Sequence, residues 1–124
     1  MSRSSGFKGL ALAVIVFSSI ANADYPVFSG GALESGRAVW LENCEGCHAY
    51  GIAGAPLAGD AEIWSPRIAK GIPALYENAI EGFFGPRGTM MPARGGNEAL
   101  SDEQVRAAVD YMVRLAGPPA DTEN

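Results

Sequence analysis

Two cysteines and a histidine stand together in the sequence Cys44-Glu45-Gly46-Cys47-His48. Cys44 and Cys47 are the only cysteines of the chain, and His48 is its only histidine. Two thiols at this spacing can each add to a vinyl group on one edge of a porphyrin, and the histidine that follows then lies under the iron as an axial ligand. The pattern therefore predicts one haem, haem c, held covalently through two thioethers.

Three other kinds of site also use a cysteine pair. A thiol redox site of this spacing usually follows a strand of a βαβ unit, and no strand pattern precedes Cys44. A structural zinc site needs four ligands, and a fourth soft ligand is missing here. A disulfide between Cys44 and Cys47 would close a very short loop and gain little chain entropy. His48, directly after Cys47, favours haem over these alternatives.

The first 23 residues have the pattern of a secretory signal peptide. Arg3 and Lys8 precede an almost wholly apolar run over residues 9–20, and Ala21-Asn22-Ala23 has the small-x-small form of a cleavage site. The apolar run is short for a membrane-spanning helix, which needs about 20 residues. We expect cleavage of residues 1–23 and no stable membrane insertion afterwards; an uncleaved anchor is the alternative.

The chain beyond this leader is small and acidic. The whole chain has a formal net charge of −5, but the leader carries two of the nine basic residues and none of the fourteen acidic ones. Residues 24–124 therefore carry a formal charge of −7. That balance argues against nucleic acid and anionic membrane surfaces as partners. A domain of this size buries a modest core, so the haem is expected to supply part of it.

Helical patterns separated by glycine- and proline-rich loops predict an all-α domain, and no strand pattern competes. The predicted organisation of the chain beyond the leader is an extended lead-in over 24–34, a helical domain over 35–116 and a flexible tail over 117–124. Within the domain the predicted helices cover residues 35–44, 65–70, 73–81 and a last segment from Ser101 to Gly117. Ser101 and Gln104 form a capping box at the start of that last helix.

An iron bound by one histidine needs a further ligand, and the thioethers and one lysine are the candidates. Met112 lies on the apolar stripe of a predicted helix, which favours a core role, and Lys70 would be strongly hydrated. Met90 and Met91 remain, both in a loop. Pro92 restricts Met91 to an extended backbone, which favours Met91 as the ligand.

An ordered set of further residues resembles the class I cytochromes c, and more narrowly the bacterial cytochrome c5 family. Gly36 and Trp40 stand eight and four residues before Cys44, as a glycine and an aromatic residue do in that fold, and Tyr111 matches the aromatic residue of the last helix. The other matching positions are Gly54-Ala55-Pro56, Gly59-Asp60, Trp64, Pro66-Arg67-Ile68, Gly71, Met91-Pro92 and Gly95-Gly96.

The resemblance implies a small cytochrome c fold, with short helices and loops around one haem and with the first and last helices crossing. It implies His48 and Met91 as the two iron ligands, and the Pro56 carbonyl as the acceptor for the Nδ1–H of His48. It also implies a bacterial periplasmic protein. Members that resemble the type protein have a second cysteine pair where Asn97 and Leu100 stand here, so that local disulfide is absent.

Trp64 and Arg67 are candidates to hydrogen-bond a haem propionate; core packing of Trp64 and solvation of Arg67 are the alternatives. The expected walls of the haem site are Ile52, Leu57, Ile68, Tyr76, Phe83 and Phe84. With histidine and methionine both on the iron, the expected function is one-electron transfer in a respiratory chain rather than catalysis. Expected partners are redox proteins with a basic docking patch, such as a terminal oxidase or reductase. A haem peroxidase or gas sensor with a displaceable methionine is the alternative function.

Overall fold

The computed structural model describes residues 25–117 of the chain. The expected signal peptide over 1–23, the first residue of the expected lead-in and the tail over 118–124 lie outside these described residues. Within them the elements are five α-helices and one pair of very short strands. Their bounds are α1 Gly31–Asn43, α2 Glu45–His48, α3 Ala61–Ile68, α4 Ile72–Glu81, β1 Phe83–Phe84, β2 Met90–Met91 and α5 Asp102–Ala116.

The core of the domain lies where α1 crosses α5. Trp40 of α1 and Tyr111 of α5 are both fully buried, with ring centroids 5.9 Å apart. A Cβ atom added at Gly36 would lie 2.1 Å from the carbonyl oxygen of Ala107. The two helix backbones therefore meet at a position where any side chain larger than hydrogen would collide. This packing confirms the predicted all-α fold with crossing terminal helices.

The first helix begins earlier than predicted. Helix α1 starts at Gly31, four residues before the expected boundary, so residues 31–34 do not belong to a lead-in. Gly30 has φ 124°, a backbone conformation that glycine adopts readily, and its carbonyl oxygen accepts hydrogen bonds from the N–H groups of Leu33 and Glu34. Gly30 and Gly31 were expected to lie in the extended lead-in and instead begin the helix.

The remaining lead-in, residues 25–30, packs against the core. The Tyr111 hydroxyl donates a hydrogen bond of 2.9 Å to the Pro26 carbonyl oxygen. The rings of Tyr25 and Trp40 lie 4.5 Å apart in an edge-on arrangement. The lead-in is therefore fixed to both crossing helices.

Helix α3 also begins earlier than the predicted residue 65. The Asp60 carboxylate accepts a hydrogen bond of 3.0 Å from the Ile63 N–H, which caps the helix at its first residue, Ala61. Pro66 was expected in the first turn and instead lies inside the helix. The helix is short and Trp64 is buried, so tertiary packing compensates for the N–H that proline lacks.

The last helix has the predicted start. The Ser101 hydroxyl accepts from the Gln104 N–H at 3.2 Å, and the Gln104 side chain accepts from the Ser101 N–H at 2.9 Å. This reciprocal pair is the predicted capping box, and it is confirmed. Helix α4 starts at Ile72, one residue before the predicted position.

The strand pair was not predicted from the sequence. Phe83 pairs with Met91 and Phe84 with Met90 in antiparallel register. Strands of two residues are too short to show an alternating pattern, so only the three-dimensional pairing reveals them. The pairing places the Met90-Met91 segment beside the end of α4.

The close approach of α1 and α5 generates a prediction about two glycines of α1. Gly36→Ala should lower the free energy of unfolding by about 2–3 kcal/mol, because overpacked interiors lose about 1–3 kcal/mol or more. Gly31→Ala is the matched control, since a Cβ atom there meets nothing within 4 Å. The control should change stability by less than about 1 kcal/mol. Urea unfolding of the two haem-loaded variants measures both values; equal stability would contradict the described crossing.

Candidate functional site

The two cysteines lie at the junction of α1 and α2. Cys44 directly follows α1 and is partly buried, and Cys47 lies exposed on the single turn of α2. Both thiols are free, so the disulfide considered from the sequence is not formed. Burial, with a smaller contribution from Cys47, raises the pKa of the Cys44 thiol to about 11. Cys44 is therefore a neutral thiol near pH 7, beside the surface thiol of Cys47.

His48 is held in one orientation by its own loop. Its side chain is 7% exposed, and Nδ1 lies 2.8 Å from the Pro56 carbonyl oxygen, the contact that the resemblance implied. The His48 carbonyl oxygen also accepts a hydrogen bond of 2.8 Å from the Ala58 N–H. Burial lowers the pKa of His48, while the hydrogen bond to Pro56 acts in the opposite direction. Because a carbonyl oxygen only accepts, Nδ1 carries the proton and Nε2 keeps a free lone pair.

Cys44, His48 and Met91 line one and the same pocket. About 370 Å³ of the pocket is not filled by protein atoms, and part of that space is open to solvent. Most of its other lining residues are apolar, and Val105 and Met112 belong to the apolar stripe of α5. Met91 comes from β2, which lies far from the cysteine motif in the sequence. The fold thus brings a thiol, an imidazole and a thioether to one apolar space.

The strand pair separates the two neighbouring methionines. Successive side chains of a strand point to opposite faces. Met91 is partly buried and lines the pocket, whereas Met90 is 54% exposed and does not. The geometry therefore favours Met91 over Met90 as the residue available to a group in the pocket.

Trp64 has a different contact from the expected one. Its indole N–H donates a hydrogen bond of 2.8 Å to the Leu57 carbonyl oxygen, and its ring lies 6.2 Å from that of His48. Indole has one donor, so in this structure that donor is not free for a propionate. Arg67 donates a hydrogen bond of 2.6 Å to the Ile63 carbonyl oxygen, and its guanidinium lies over the Trp64 ring. Trp64 and Arg67 therefore support the loop beside His48.

The expected walls of the site do not line this pocket. Ile52, Leu57, Phe83 and Phe84 are exposed, and Ile68 packs against the main core cluster. Tyr76 donates a hydrogen bond of 2.5 Å to Asp110 of α5, and burial together with that bond raises its pKa to about 12. The apolar stripe of α5 was expected to form core, and the structure shows that it also forms pocket wall. The three- and four-residue spacing of that stripe was the available signal.

The turn that lacks the second cysteine pair is held by hydrogen bonds. The Asn97 side chain donates a hydrogen bond of 2.9 Å to Asn43 Oδ1 at the end of α1. It also accepts a hydrogen bond of 3.1 Å from the Ala99 N–H. A Cβ atom at Gly95 would lie 2.7 Å from the Asn43 carbonyl oxygen, which shows how closely the turn approaches α1. Hydrogen bonds thus fasten this turn in the place of the absent disulfide.

The residues of the pocket fit a haem. Cys44, His48 and Met91 line the pocket, and the free thiol of Cys47 lies exposed beside it. Together they supply the two thiols, the imidazole and the thioether that covalent attachment and axial ligation require. Trp40 lines the pocket with a buried indole N–H that has no hydrogen-bond partner, so protein atoms alone do not complete this space. Within residues 25–117 no group of three or more His, Cys, Asp or Glu side chains is placed to hold a metal ion.

Comparisons with known proteins agree with this site. The sequence profile of the family described as cytochrome c oxidase, cbb3-type, subunit III matches residues 31–112. Cytochrome c-555 of Chlorobaculum thiosulfatiphilum is 48% identical over 79 residues, which cover 64% of this chain and 91% of that protein. Cytochrome c5 of Azotobacter vinelandii is 33% identical over 88 residues, covering 69% of this chain and all of that protein. The chain belongs to the class I c-type cytochromes.

The fold of this cytochrome also has a solved counterpart. A chain from the crystal structure of an electron-transfer complex of nitrite reductase with cytochrome c superimposes with a TM-score of 0.58 and 39% identity. The match covers 66% of this chain and 94% of that one. Membership of the family implies haem c as the cofactor and electron transfer as the activity. Among residues 25–117, no helix is long and apolar enough to cross a membrane.

Proposed function

We propose that this cytochrome carries single electrons on one haem, bound through thioethers to Cys44 and Cys47 with His48 and Met91 as the axial ligands. The observation that carries the proposal is the shared pocket, in which the cysteine motif and Met91 meet although 43 residues separate His48 from Met91. A haem bound there supplies an iron that alternates between the ferric and ferrous states.

The residues of the chain prepare that site for electron transfer. Pro56 holds the His48 ring in the tautomer that presents Nε2 as a donor. The thioether of Met91 is a soft ligand that favours the ferrous state, and an apolar pocket disfavours the additional charge of the ferric state. With a side chain on each axial position no site is left for a substrate, which supports a carrier rather than an enzyme.

The alternative, a peroxidase or gas sensor, finds less support. Such proteins use acid–base groups on the side of the haem where the substrate binds. The single histidine of this chain is already assigned as a ligand, and Arg94, one of two arginines in the Met91 loop, is bound to Asp102.

We further propose that the protein is exported to the periplasm, loses residues 1–23 and acts in a respiratory chain. The basic start, the apolar run and the Ala21-Asn22-Ala23 site support the export step. The remaining chain is then residues 24–124.

The intact mass of the purified native protein tests attachment and cleavage together. We expect, under denaturing conditions, the mass of residues 24–124 plus one haem, because thioether bonds survive unfolding. Cys44→Ser with Cys47→Ser should lose the haem mass. A haem that separates on denaturation, or a second haem, would reject the single covalent attachment; a retained leader would reject cleavage only.

The partners proposed for this cytochrome are redox proteins with a basic docking patch, such as a terminal oxidase or reductase. The formal charge of −7 over residues 24–124 supports this, since complementary charge raises the rate of encounter at small contacts. The solved counterpart comes from a complex with nitrite reductase, which supports a reductase as one class of partner.

Salt tests the charge argument. The bimolecular rate of electron transfer with such a partner should fall as ionic strength rises, because at about 0.15 M salt exposed charges are screened beyond about 8 Å. Stopped-flow measurements over a salt series give this dependence. A rate that stays constant or rises with salt would reject a basic docking patch and favour apolar docking.

A further inference from the structure

Arg94 connects the Met91 segment to the start of α5. Its Nη1 donates a hydrogen bond of 2.9 Å to the Leu100 carbonyl oxygen, and its Nη2 donates one of 2.7 Å to Asp102 Oδ1. The side chain is 24% exposed and lines the same pocket as His48 and Met91. A guanidinium can hold two acceptors at once because its donors form a rigid fork. Arg94 uses that fork on the two residues that flank Ser101, the cap of α5.

The backbone at Arg94 indicates that this contact offsets a conformational cost. Arg94 has φ 55° and ψ 29°, the left-handed conformation, and Gly95 and Gly96 follow with φ 63° and 86°. Glycine adopts this region without penalty, whereas a residue with a Cβ atom does so at a cost in free energy. The two hydrogen bonds of the guanidinium offset this cost at Arg94.

The rest of the Met91 segment is held on both sides. On its N-terminal side the segment is paired with β1, Met91 with Phe83 and Met90 with Phe84. On its C-terminal side the turn contacts α1 through Gly95 and Asn97. Two contacts connect the segment to α5, which is fixed in the core through Tyr111. Met91 packs against the apolar cluster of Ala79, Ile80 and Val105, and Arg94 adds hydrogen bonds to the start of α5.

We propose that Arg94 is a positioning residue for Met91, whose hydrogen bonds to Leu100 and Asp102 keep the Met91 side chain in the pocket. This inference rests on the proposed role of Met91 as an iron ligand. A thioether is a neutral, weak donor, so its retention depends on how firmly the protein holds it. An added ligand that competes for the iron binds with an apparent affinity proportional to the fraction of molecules in which Met91 has left the pocket. Weakening the Arg94 contacts raises that fraction.

Two glycine substitutions isolate the side chain of Arg94. Arg94→Gly removes the guanidinium and also relieves the strain of the left-handed backbone. A weaker hold on Met91 in this variant therefore cannot result from backbone strain. Arg87→Gly is the matched control, because Arg87 lies in the same loop, is exposed and has φ 60°. Its side chain makes none of the hydrogen bonds or ion pairs found within residues 25–117. Both variants lose one positive charge and gain the same backbone freedom.

The measurement is a titration of the ferric holoprotein with imidazole, followed by the weak thioether-to-iron charge-transfer band. For Arg94→Gly we expect imidazole to bind at least about tenfold more tightly than to the wild type, since loss of a charged contact that holds the loop changes an equilibrium by this order. Arg87→Gly should stay within about twofold of the wild type. Arg94→Lys should fall between them, because one ammonium group can reach one of the two acceptors.

A second variant guards against failure of Arg94→Gly to fold. Asp102→Asn removes the ionic partner and leaves the Ser101–Gln104 capping box in place, and it should also tighten imidazole binding. If Asp102→Asn, and Arg94→Gly where it folds, bind imidazole no more tightly than Arg87→Gly, Arg94 is not a positioning residue. Met91→Ala tests the ligand role of Met91 separately from the positioning role of Arg94. If the charge-transfer band of the wild type is still present in Met91→Ala, Met91 is not the ligand. The inference about Arg94 would then fail with that assignment.

Discussion

The contact between the backbones of α1 and α5 is the constraint on which the rest of the structure depends. Gly36 lies against Ala107, so the two helices approach closely enough for Trp40 and Tyr111 to be completely buried between them. Helix α1 ends at Asn43, directly before Cys44, and α5 supplies pocket wall through its apolar stripe. The crossing therefore sets the distance between the attachment motif and the wall that faces it.

The two proposed ligands are held by different means. His48 follows the attachment cysteines directly, and Pro56 and Ala58 bind it within its own loop. Its orientation is thus determined locally, by residues within ten positions in the sequence. Met91 is held by a two-residue ladder, by packing against the apolar cluster of Ala79, Ile80 and Val105, and by the hydrogen bonds of Arg94. The imidazole is thus held within its own loop, whereas the thioether is held by contacts with several other elements.

The features that the sequence predicted well are those that depend on near neighbours. The capping box of Ser101 and Gln104 is a property of four consecutive residues. The resemblance to known cytochromes added the pairing of His48 with Pro56, which no spacing rule would supply.

The features that the sequence missed depend on distant residues. The start of α3 was wrong because a proline usually marks a helix start, and the burial of Trp64 overrides that preference. Tyr76 was expected in the haem wall, and its bond to Asp110, 34 residues away, takes it elsewhere. Each of these outcomes is decided by a partner that local patterns do not reveal.

The central claim is that Met91, and not its neighbour, completes the site opposite His48. Carbon monoxide tests this directly, since it binds ferrous haem only where an axial position can open. We predict that the absorption spectra of the reduced wild-type protein and of Met90→Ala remain unchanged under carbon monoxide, while Met91→Ala shifts to the spectrum of a carbon monoxide complex. A shift in Met90→Ala with none in Met91→Ala, or a shift in the wild type, would contradict the account.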